Sequence, residues 1–329
     1  MKVMNNGSFV ISLDFELLWG VRDKRSIESY GDNIKNVHQI IPRLLDLFSK
    51  YEISATFSTV GFIFMKNKKE LLENYPATLP NYANVLLSPY SNHIQSIDDN
   101  GSEDIYHFAP DLINEIKKHS NHEIGTHTFS HYYCLESGQT LDEFRADISK
   151  AVQVAERVQI EITSIIFPRN QYSDLYLNAC AELGIKCYRG NEESWLYKAK
   201  SGENETKIRR IFRLADAYVN LSGYNCYPYS EISNFFPINI PSSRLLRPYS
   251  DKLNFLDNLK QKRITKAMTY AAKNNQVFHL WWHPHNFGNN QNENFQFLEK
   301  ILIHYKKLNE SFNFKSFTMS NLASEISNG

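Results

Sequence analysis

The segment Phe9–Glu16, FVISLDFE, constrains the fold of this chain more than any other. Its β-branched and aromatic residues predict a strand. Side chains of a strand alternate between two faces, so Ile11, Leu13 and Phe15 fall on one face while Ser12, Asp14 and Glu16 fall on the other. A parallel barrel accommodates both faces, because helices cover its outside and polar groups can turn into its interior. The segment is therefore predicted to be a barrel strand.

Strand-like and helical patterns alternate along the rest of the chain. Further strand patterns lie at 53–60, 165–167, 185–188 and 277–282, and helical patterns at 36–51, 110–120, 142–158, 173–183, 253–274 and 294–308, before a closing strand and helix within 314–327. A strand, a helix and a second strand at this spacing form a parallel crossover unit. We therefore predict one α/β domain over residues 1–329, a parallel barrel with insertions at about 66–110 and 190–251. The second insertion is expected to hold long loops and one short strand.

The balance of charge argues against some classes of partner. The chain has 36 Lys and Arg residues and 36 Asp and Glu residues, so no net field attracts nucleic acid or an anionic membrane. No secretory signal pattern is seen at the start, and no apolar run reaches the ~20 residues of a membrane span. The four cysteines form no CxxC pair and are predicted to be reduced thiols. We therefore expect a cytoplasmic protein with a neutral partner or a small substrate.

The pair His127 and His131, in the order HxxxH, is the first candidate for chemistry. One helical turn would place both imidazoles on the same face. Two imidazoles and a carboxylate form a common ligand set for catalytic zinc. The pair also follows a strand, where parallel α/β folds place their sites. Two surface histidines on a helix would give the same pattern, so the pair alone is a weak signal.

The two carboxylates of the first strand, Asp14 and Glu16, are the second candidate. Two carboxylates on one face of an apolar strand are costly to bury unless a positive charge lies between them. A metal ion would stabilise one of them and leave the other free to act as a base. The alternative is a pair of ordinary salt bridges to Arg or Lys at the end of the strand.

The segment His279–His285, HLWWHPH, is the third candidate. If the strand at 277–282 extends through it, His279, Trp281 and His283 share one face. A histidine at a strand end, such as His283, can act as general acid toward a leaving amine near neutral pH. The alternative is that the tryptophans are core residues and the histidines only end the strand.

Five residues near the same strand ends are candidates for contact with the substrate: Trp19, Arg169, Asn170, Trp282 and His285. Arg169 could orient a carboxylate, and Asn170 could donate a hydrogen bond to a substrate oxygen. An ordinary loop salt bridge would explain Arg169 equally well. Trp19 could stack on a sugar ring or fill space in the core.

Taken together, these segments resemble the polysaccharide deacetylase superfamily, the NodB-homology fold of carbohydrate esterase family 4. The H-[ST]-x-x-H motif of that family matches His127-Thr-Phe-Ser-His131. Its aspartate-containing strand end matches the sequence around Asp14, and its late strand matches Leu280-Trp-Trp-His283. The resemblance implies a distorted (β/α)7 barrel that hydrolyses N-acetyl or related amides with a metal, usually zinc.

The resemblance also implies roles for individual residues. The family has adjacent aspartates, a base and a metal ligand, where this chain has Asp14 and Glu16 separated by one residue. We carry the base role to Asp14 and the ligand role to Glu16, with the reverse also open. The family's Arg-x-Pro-Tyr motif corresponds to Phe-Pro-Arg169-Asn. The implied substrate is an N-acylated sugar, a nucleotide-sugar or a glycan precursor in surface-polysaccharide synthesis.

Three other functions fit parts of the pattern. An allantoinase-like or cyclic-imide amidohydrolase on the same barrel would open a ring rather than release acetate. A glycosidase using Asp14 and Glu16 as acid and base would work without a metal and survive a chelator. A non-catalytic glycan-binding protein would bind sugar without turnover.

Overall fold

The structure is a computed structural model that describes residues 5–98, 104–198, 200–201, 206–232 and 236–327. The strands are β1 (Ser8–Phe15), β2 (Ala55–Thr59), β3 (Glu123–Thr126), β4 (Ser164–Ile165), β5 (Cys187–Tyr188), β6 (Tyr227–Pro228), β7 (Ile238–Asn239), β8 (Arg244–Leu245), β9 (Gln276–Trp282) and β10 (Lys315–Phe317). The α-helices are α1 (Ile27–Lys35), α2 (Val37–Lys50), α3 (Lys68–Glu73), α4 (His93–Ser96), α5 (Pro110–Lys117), α6 (Leu141–Arg157), α7 (Asp174–Glu182), α8 (Lys207–Asp216), α9 (Tyr229–Ile232), α10 (Asp257–Lys273), α11 (Gln291–Phe312) and α12 (Met319–Ser327).

The strands form one curled sheet in the order β6-β9-β1-β2-β3-β4-β5-β7, with β10 paired to β1 and β8 paired to β9. All pairs are parallel except β6 with β9. The stretch from β7 to β8 reaches both ends of the parallel part, because β7 pairs with β5 and β8 pairs with β9. Between them, Ser242 N–H donates to Gly190 O at 2.9 Å and Ser243 N–H donates to His279 O at 2.8 Å. The predicted (β/α)7-type barrel is confirmed.

Apolar residues cover both the outer face of the sheet and one end of its interior. Ile11, Leu13 and Phe15 of β1 lie in the main core, together with the buried stripe of α2. Inside the barrel, Val10 lies in a second cluster with Met319 of α12. α12 therefore closes the end where the strands begin, and the polar side chains of β1 further along face the open, carboxyl end.

The predicted elements agree with the structure except in the second insertion, and the helices α1 and α4 were not predicted. The helix predicted at 142–158 is α6, which begins with a capping box between Thr140 and Glu143. The helix predicted at 294–308 is longer, because α11 spans Gln291–Phe312. The prediction of loops and one strand at 190–251 is wrong, since that range contains α8, α9 and three short strands. The assignment of the two insertions within one domain stays a prediction.

All four cysteines are free, as predicted from their spacing. Among the described residues, no helix is both long enough and apolar enough to cross a membrane.

Candidate active site

The candidate residues meet at the carboxyl end of the barrel, which is where parallel α/β barrels place their sites. Asp14 lies near the end of β1 and Glu16 follows that strand, while His127 and His131 follow β3 and His283 follows β9. An open cavity of about 420 Å³ lies over them. Separate strand-end candidates in the sequence therefore form one site.

Glu16, His127 and His131 form a buried cluster with the geometry of a metal site. One carboxylate oxygen, Glu16 Oε2, lies 3.1 Å from His131 Nε2 and 3.4 Å from His127 Nε2. The possible ligand atoms all lie within 4.8 Å of one another. Ligands bound tetrahedrally at about 2.1 Å from zinc are roughly 3.4 Å apart. The cluster therefore fits a divalent ion without rearrangement of its backbone.

The two histidines come together through a loop and not through a helical turn, so that part of the prediction is wrong. Thr128 and His131 have φ values of 64° and 60°, in the left-handed region. Asp147 of α6 holds the loop between them, because its carboxylate accepts hydrogen bonds from Phe129 N–H at 2.7 Å and from Ser130 N–H at 3.1 Å. The HxxxH spacing brings the two imidazoles together here because a buried carboxylate fixes the loop.

The charge states in the cluster suit a metal. Burial raises the pKa of Glu16, but His283, His127 and His131 outweigh burial and hold it well below its usual range. Burial lowers the pKa of His131 to about 4, so its imidazole is neutral near pH 7. Its Nδ1 lies 3.1 Å from Tyr133 Oη, a contact that orients Nε2 toward Glu16. An ionised carboxylate and neutral imidazoles are the forms that bind divalent ions.

Arg189 holds Asp14 in place, and we did not identify it from the sequence. Arg189 Nη1 and Nη2 donate to Asp14 Oδ1 and Oδ2 at 2.7 and 2.8 Å. Burial raises the pKa of Asp14, but Arg189, His283 and His127 outweigh it, so the net pKa is lowered. Arg189 also lies over the Trp281 ring, 4.1 Å from its centroid. The available signal was its place one residue after the strand predicted at 185–188.

Arg169 has different partners from those of Arg189. It pairs with the carboxylates of Asp23 and Glu136 and lies 4.0 Å from the centroid of the Tyr133 ring. The alternative of a loop salt bridge is therefore the one observed. Arg169 still lines the cavity beside Asn170, whose Oδ1 accepts a hydrogen bond from Arg189 at 3.0 Å. Contact of Arg169 and Asn170 with the substrate stays a prediction.

Trp19 and Trp282 cannot contact a substrate, so these two predictions are wrong. Trp19 is 0% exposed, and its Nε1–H donates to His107 O at 2.7 Å. Trp282 is also 0% exposed and stacks on Phe287 on the outside of the barrel. The neighbouring Trp281 faces the cavity instead.

The late strand alternates as its sequence predicts, with His279, Trp281 and His283 on the inner face. His279 is fully buried, and its Nε2 lies 2.8 Å from Ser12 Oγ, below the site. His283 Nε2 lies 3.7 Å from Asp14 Oδ2 and 3.6 Å from Glu16 Oε1. At 25% exposure, its side chain is the most accessible of these groups. It is therefore placed to meet a substrate that enters the cavity.

His285 lies against His283 at the side of the cavity. The two rings stack with centroids 5.0 Å apart, and His285 Nδ1 is 3.9 Å from Glu16 Oε1. Burial lowers the pKa of His285 to about 3, so the ring is neutral. His285 lines the cavity, and its contact with substrate stays a prediction.

Known structures share this fold. A candidate polysaccharide deacetylase from Mycobacterium smegmatis aligns with a TM-score of 0.62 at 12% identity, covering 100% of this chain and 92% of that one. PuuE allantoinase aligns at 0.50 with 11% identity, covering 97% and 88%. A 4-alpha-glucanotransferase from Thermococcus litoralis aligns at 0.51 with 10% identity, covering 97% and 40%. At these identities the similarity shows the fold alone.

The sequence itself identifies the family. Residues 22–188, just over half of the chain, match the family model for polysaccharide deacetylases. This range contains His127 and His131, while the strand that carries Asp14 precedes it. No curated protein matches the sequence at a significant level. The chain belongs to the polysaccharide deacetylase family.

Proposed function

We propose that this protein hydrolyses an N-acyl group, N-acetyl in the simplest case, from a sugar or glycan precursor of surface-polysaccharide synthesis. The observation that carries the proposal is the buried Glu16–His127–His131 cluster next to Asp14 and His283. Zn²⁺ is the ion assigned to the cluster, because two imidazoles and a carboxylate with an open position form a common set for catalytic zinc.

The chain supplies a base and an acid around the cluster. A divalent ion on Glu16, His127 and His131 would activate water and polarise the amide carbonyl. Asp14 is kept ionised and oriented by Arg189, so it can take a proton from the attacking water. His283 is accessible from the cavity and can give a proton to the departing amine.

The charge states argue against a glycosidase that uses the two carboxyl groups. A glycosidase needs one carboxyl group whose pKa is raised, so that it remains protonated and can act as the acid. The pKa values of Asp14 and Glu16 are both lowered, because cationic or imidazole groups outweigh their burial. Both groups are therefore ionised near neutral pH, and neither can donate the proton.

Acetate release tests the proposed function. We expect the zinc-loaded protein to release acetate from an N-acetylated sugar or sugar oligomer, to lose this activity with a chelator, and to recover it when Zn²⁺ is returned. Allantoin serves as the cyclic-amide comparison. Ring opening of allantoin without acetate release would favour the allantoinase-like alternative, and sugar binding without turnover would favour a glycan-binding protein.

A further inference from the structure

A second cavity, of about 300 Å³, adjoins the active site. Both cavities are lined by Arg169, Asn170, Leu245 and Trp281. These shared residues form the boundary between the two spaces. One molecule can therefore occupy both, with its amide near Asp14 and another group in the second cavity.

The second cavity, which we call the basic cavity, is lined by an unusual number of cations for a chain with no net charge. Its basic side chains are Arg169, Lys198, Lys200, Arg213, Arg244 and Arg247. Arg169 and Arg244 have carboxylate partners. In the part of the chain that the structure describes, no ion pair involves Lys198, Lys200 or Arg247. Positive charge is concentrated beside the active site.

Arg244 gives the basic cavity a fixed donor group. It lies in β8, is 4% exposed, and binds the carboxylate of Asp216 through Nη1. Its Nε and Nη2 are buried and have no hydrogen-bond partner among the described residues. Buried donors without partners are costly, and a guanidinium fork fits the oxygens of a phosphate. Arg244 therefore has two buried N–H groups, on Nε and Nη2, without an acceptor among the described residues.

One carboxyl group, that of Glu192, also lines the basic cavity. Glu192 is buried, and burial raises its pKa although Arg244 and Arg189 act in the opposite direction.

We propose that the basic cavity binds a phosphate or diphosphate group of the sugar substrate. This inference rests on the proposed function, because it assigns the group attached to the N-acylated sugar. Several cationic side chains line a volume of about 300 Å³, and their positive charge is more than a single carboxylate group would need for binding. The shared residues then place the sugar between Arg244 on one side and Asp14 on the other.

Pyrophosphate binding to the metal-free protein tests the basic cavity, since removal of the metal prevents phosphate from binding at the active-site ion. We expect wild-type protein to bind pyrophosphate in a calorimetric titration. The variant Lys198→Glu/Lys200→Glu, which alters exposed side chains, and the variant Arg247→Ala should each weaken binding about tenfold or more. The control Lys117→Glu/Lys118→Glu, which alters two exposed side chains at the end of α5, should bind as wild type.

The outcomes separate this inference from the proposed function. Failure of the metal-free wild type to bind pyrophosphate, or equal binding by all variants, would overturn the phosphate site. If binding behaves as expected and no N-acylated sugar is hydrolysed, the proposed function fails while the anion site stands.

Substrates of three kinds identify the source of the phosphate: an N-acetylated sugar 1-phosphate, a nucleoside diphosphate sugar and a polyprenyl diphosphate sugar. We expect kcat/KM for acetate release to be higher with at least one of them than with the neutral sugar. The Lys198→Glu/Lys200→Glu variant should remove that advantage. Equal kcat/KM on neutral and phosphorylated sugars would contradict a phosphate subsite.

Helix α8 has the opposite orientation to that of an ordinary surface helix. Its apolar residues Ile208 and Ile211 are each 65% exposed, and Phe212 is 45% exposed. Its charged residues Arg209 and Asp216 are buried. A surface helix of a globular protein normally presents its polar face to water and buries its apolar face.

Polar contacts fix this orientation. Arg209 Nη2 donates to the backbone oxygens of Trp195, Leu196 and Lys198 at 3.1, 3.0 and 2.9 Å. Asp216 accepts from Leu221 N–H at 2.9 Å. The helix is therefore held with its apolar face outward.

The exposed face extends beyond α8 and carries positive charge at its border. Trp195 is 59% exposed and meets Phe212 edge-on, with ring centroids 6.3 Å apart. Lys207 and Arg210 of α8 are exposed beside the apolar residues. Bulky apolar and aromatic residues combined with Lys and Arg are typical of helices that lie in the interface of an anionic membrane.

We infer that the apolar face of α8, with Trp195, docks on the surface of an anionic lipid membrane. Aromatic and aliphatic side chains would enter the headgroup region while Lys207 and Arg210 meet the lipid phosphates. No span is required, since such a helix lies parallel to the membrane.

Sedimentation with lipid vesicles tests the docking face. Wild-type protein should sediment with vesicles of mixed phosphatidylcholine and phosphatidylglycerol and remain in solution with phosphatidylcholine alone. Ile211→Glu/Phe212→Glu should abolish sedimentation, whereas Leu175→Glu, an exposed apolar residue of α7, should have no effect. The inference is overturned if all variants sediment equally or if the wild-type protein does not bind vesicles. It is also overturned if the protein is a dimer in solution that only Ile211→Glu/Phe212→Glu dissociates.

Discussion

Replacing His131 by alanine is expected to remove the bound divalent ion and to reduce amide hydrolysis to background. His131 Nε2 lies 3.1 Å from Glu16 Oε2 and is one of the two imidazole nitrogens beside that oxygen. Removing the His131 imidazole leaves only two protein ligands in the cluster. Catalytic zinc sites use three protein ligands and keep one position open, so two ligands would hold the ion weakly.

Metal analysis of the purified variant is the direct measurement, and acetate release is the second. His119→Ala, a histidine outside the cluster, is the control and should retain both metal and activity. Thermal unfolding with a chelator present separates loss of metal from loss of fold, because both proteins are then compared without an ion. A His131→Ala protein that keeps stoichiometric metal and full activity would refute the assigned ligand set.

Much of the site was predictable because parallel strands bring their carboxyl ends together. Asp14 and Glu16 could be identified by alternation along the segment Phe9–Glu16, and His127, His131 and His283 by their places after other strands. No local pattern could show that Glu16 lies against the histidine pair, but the rule of shared strand ends predicts it.

Arg189 was missed because its role depends on the opposite side of the barrel. The pairing with Asp14 joins the end of β5 to β1, two strands that are not neighbours in the sheet. The local sequence around Arg189 contains no motif that points to Asp14. Only the closed arrangement of strands brings the two side chains together.

The predictions that Trp19 and Trp282 contact the substrate were wrong for two different reasons. The outward orientation of Trp282 follows from alternation along the strand. His279 and His283 point inward, so the even-numbered residue between them must point outward. The burial of Trp19 depends on the first insertion, because its indole meets the His93 ring edge-on and donates a hydrogen bond to His107 O. The position of that insertion cannot be derived from the sequence near Trp19.

α8 was missed because sequence patterns are usually interpreted with the apolar face buried. Its apolar stripe is regular, but here the opposite face, with Arg209 and Asp216, is packed against the protein. The same helix contributes Arg213 to the basic cavity. A phosphosugar attached to a lipid would use both faces, with the phosphate beside the active site and the lipid in the membrane.

Replacing Asp14 by asparagine is expected to lower kcat for amide hydrolysis by about 10²–10⁴-fold while the bound metal is retained. Asparagine has nearly the same shape but cannot take a proton from water. It also leaves the buried Arg189 without its charged partner, and breaking a buried pair in this way costs roughly 3–5 kcal/mol of stability. A loss of activity could then arise from unfolding instead of lost chemistry.

The double variant Asp14→Asn/Arg189→Met separates the two causes. It removes the unpaired charge, so its free energy of unfolding in a denaturant titration should lie closer to the wild-type value than that of Asp14→Asn. Its kcat should stay as low as that of the single variant, with metal still bound by Glu16, His127 and His131. Recovery of kcat together with stability would show that Asp14 only supports the fold, and the base would then have to be sought elsewhere in the cavity.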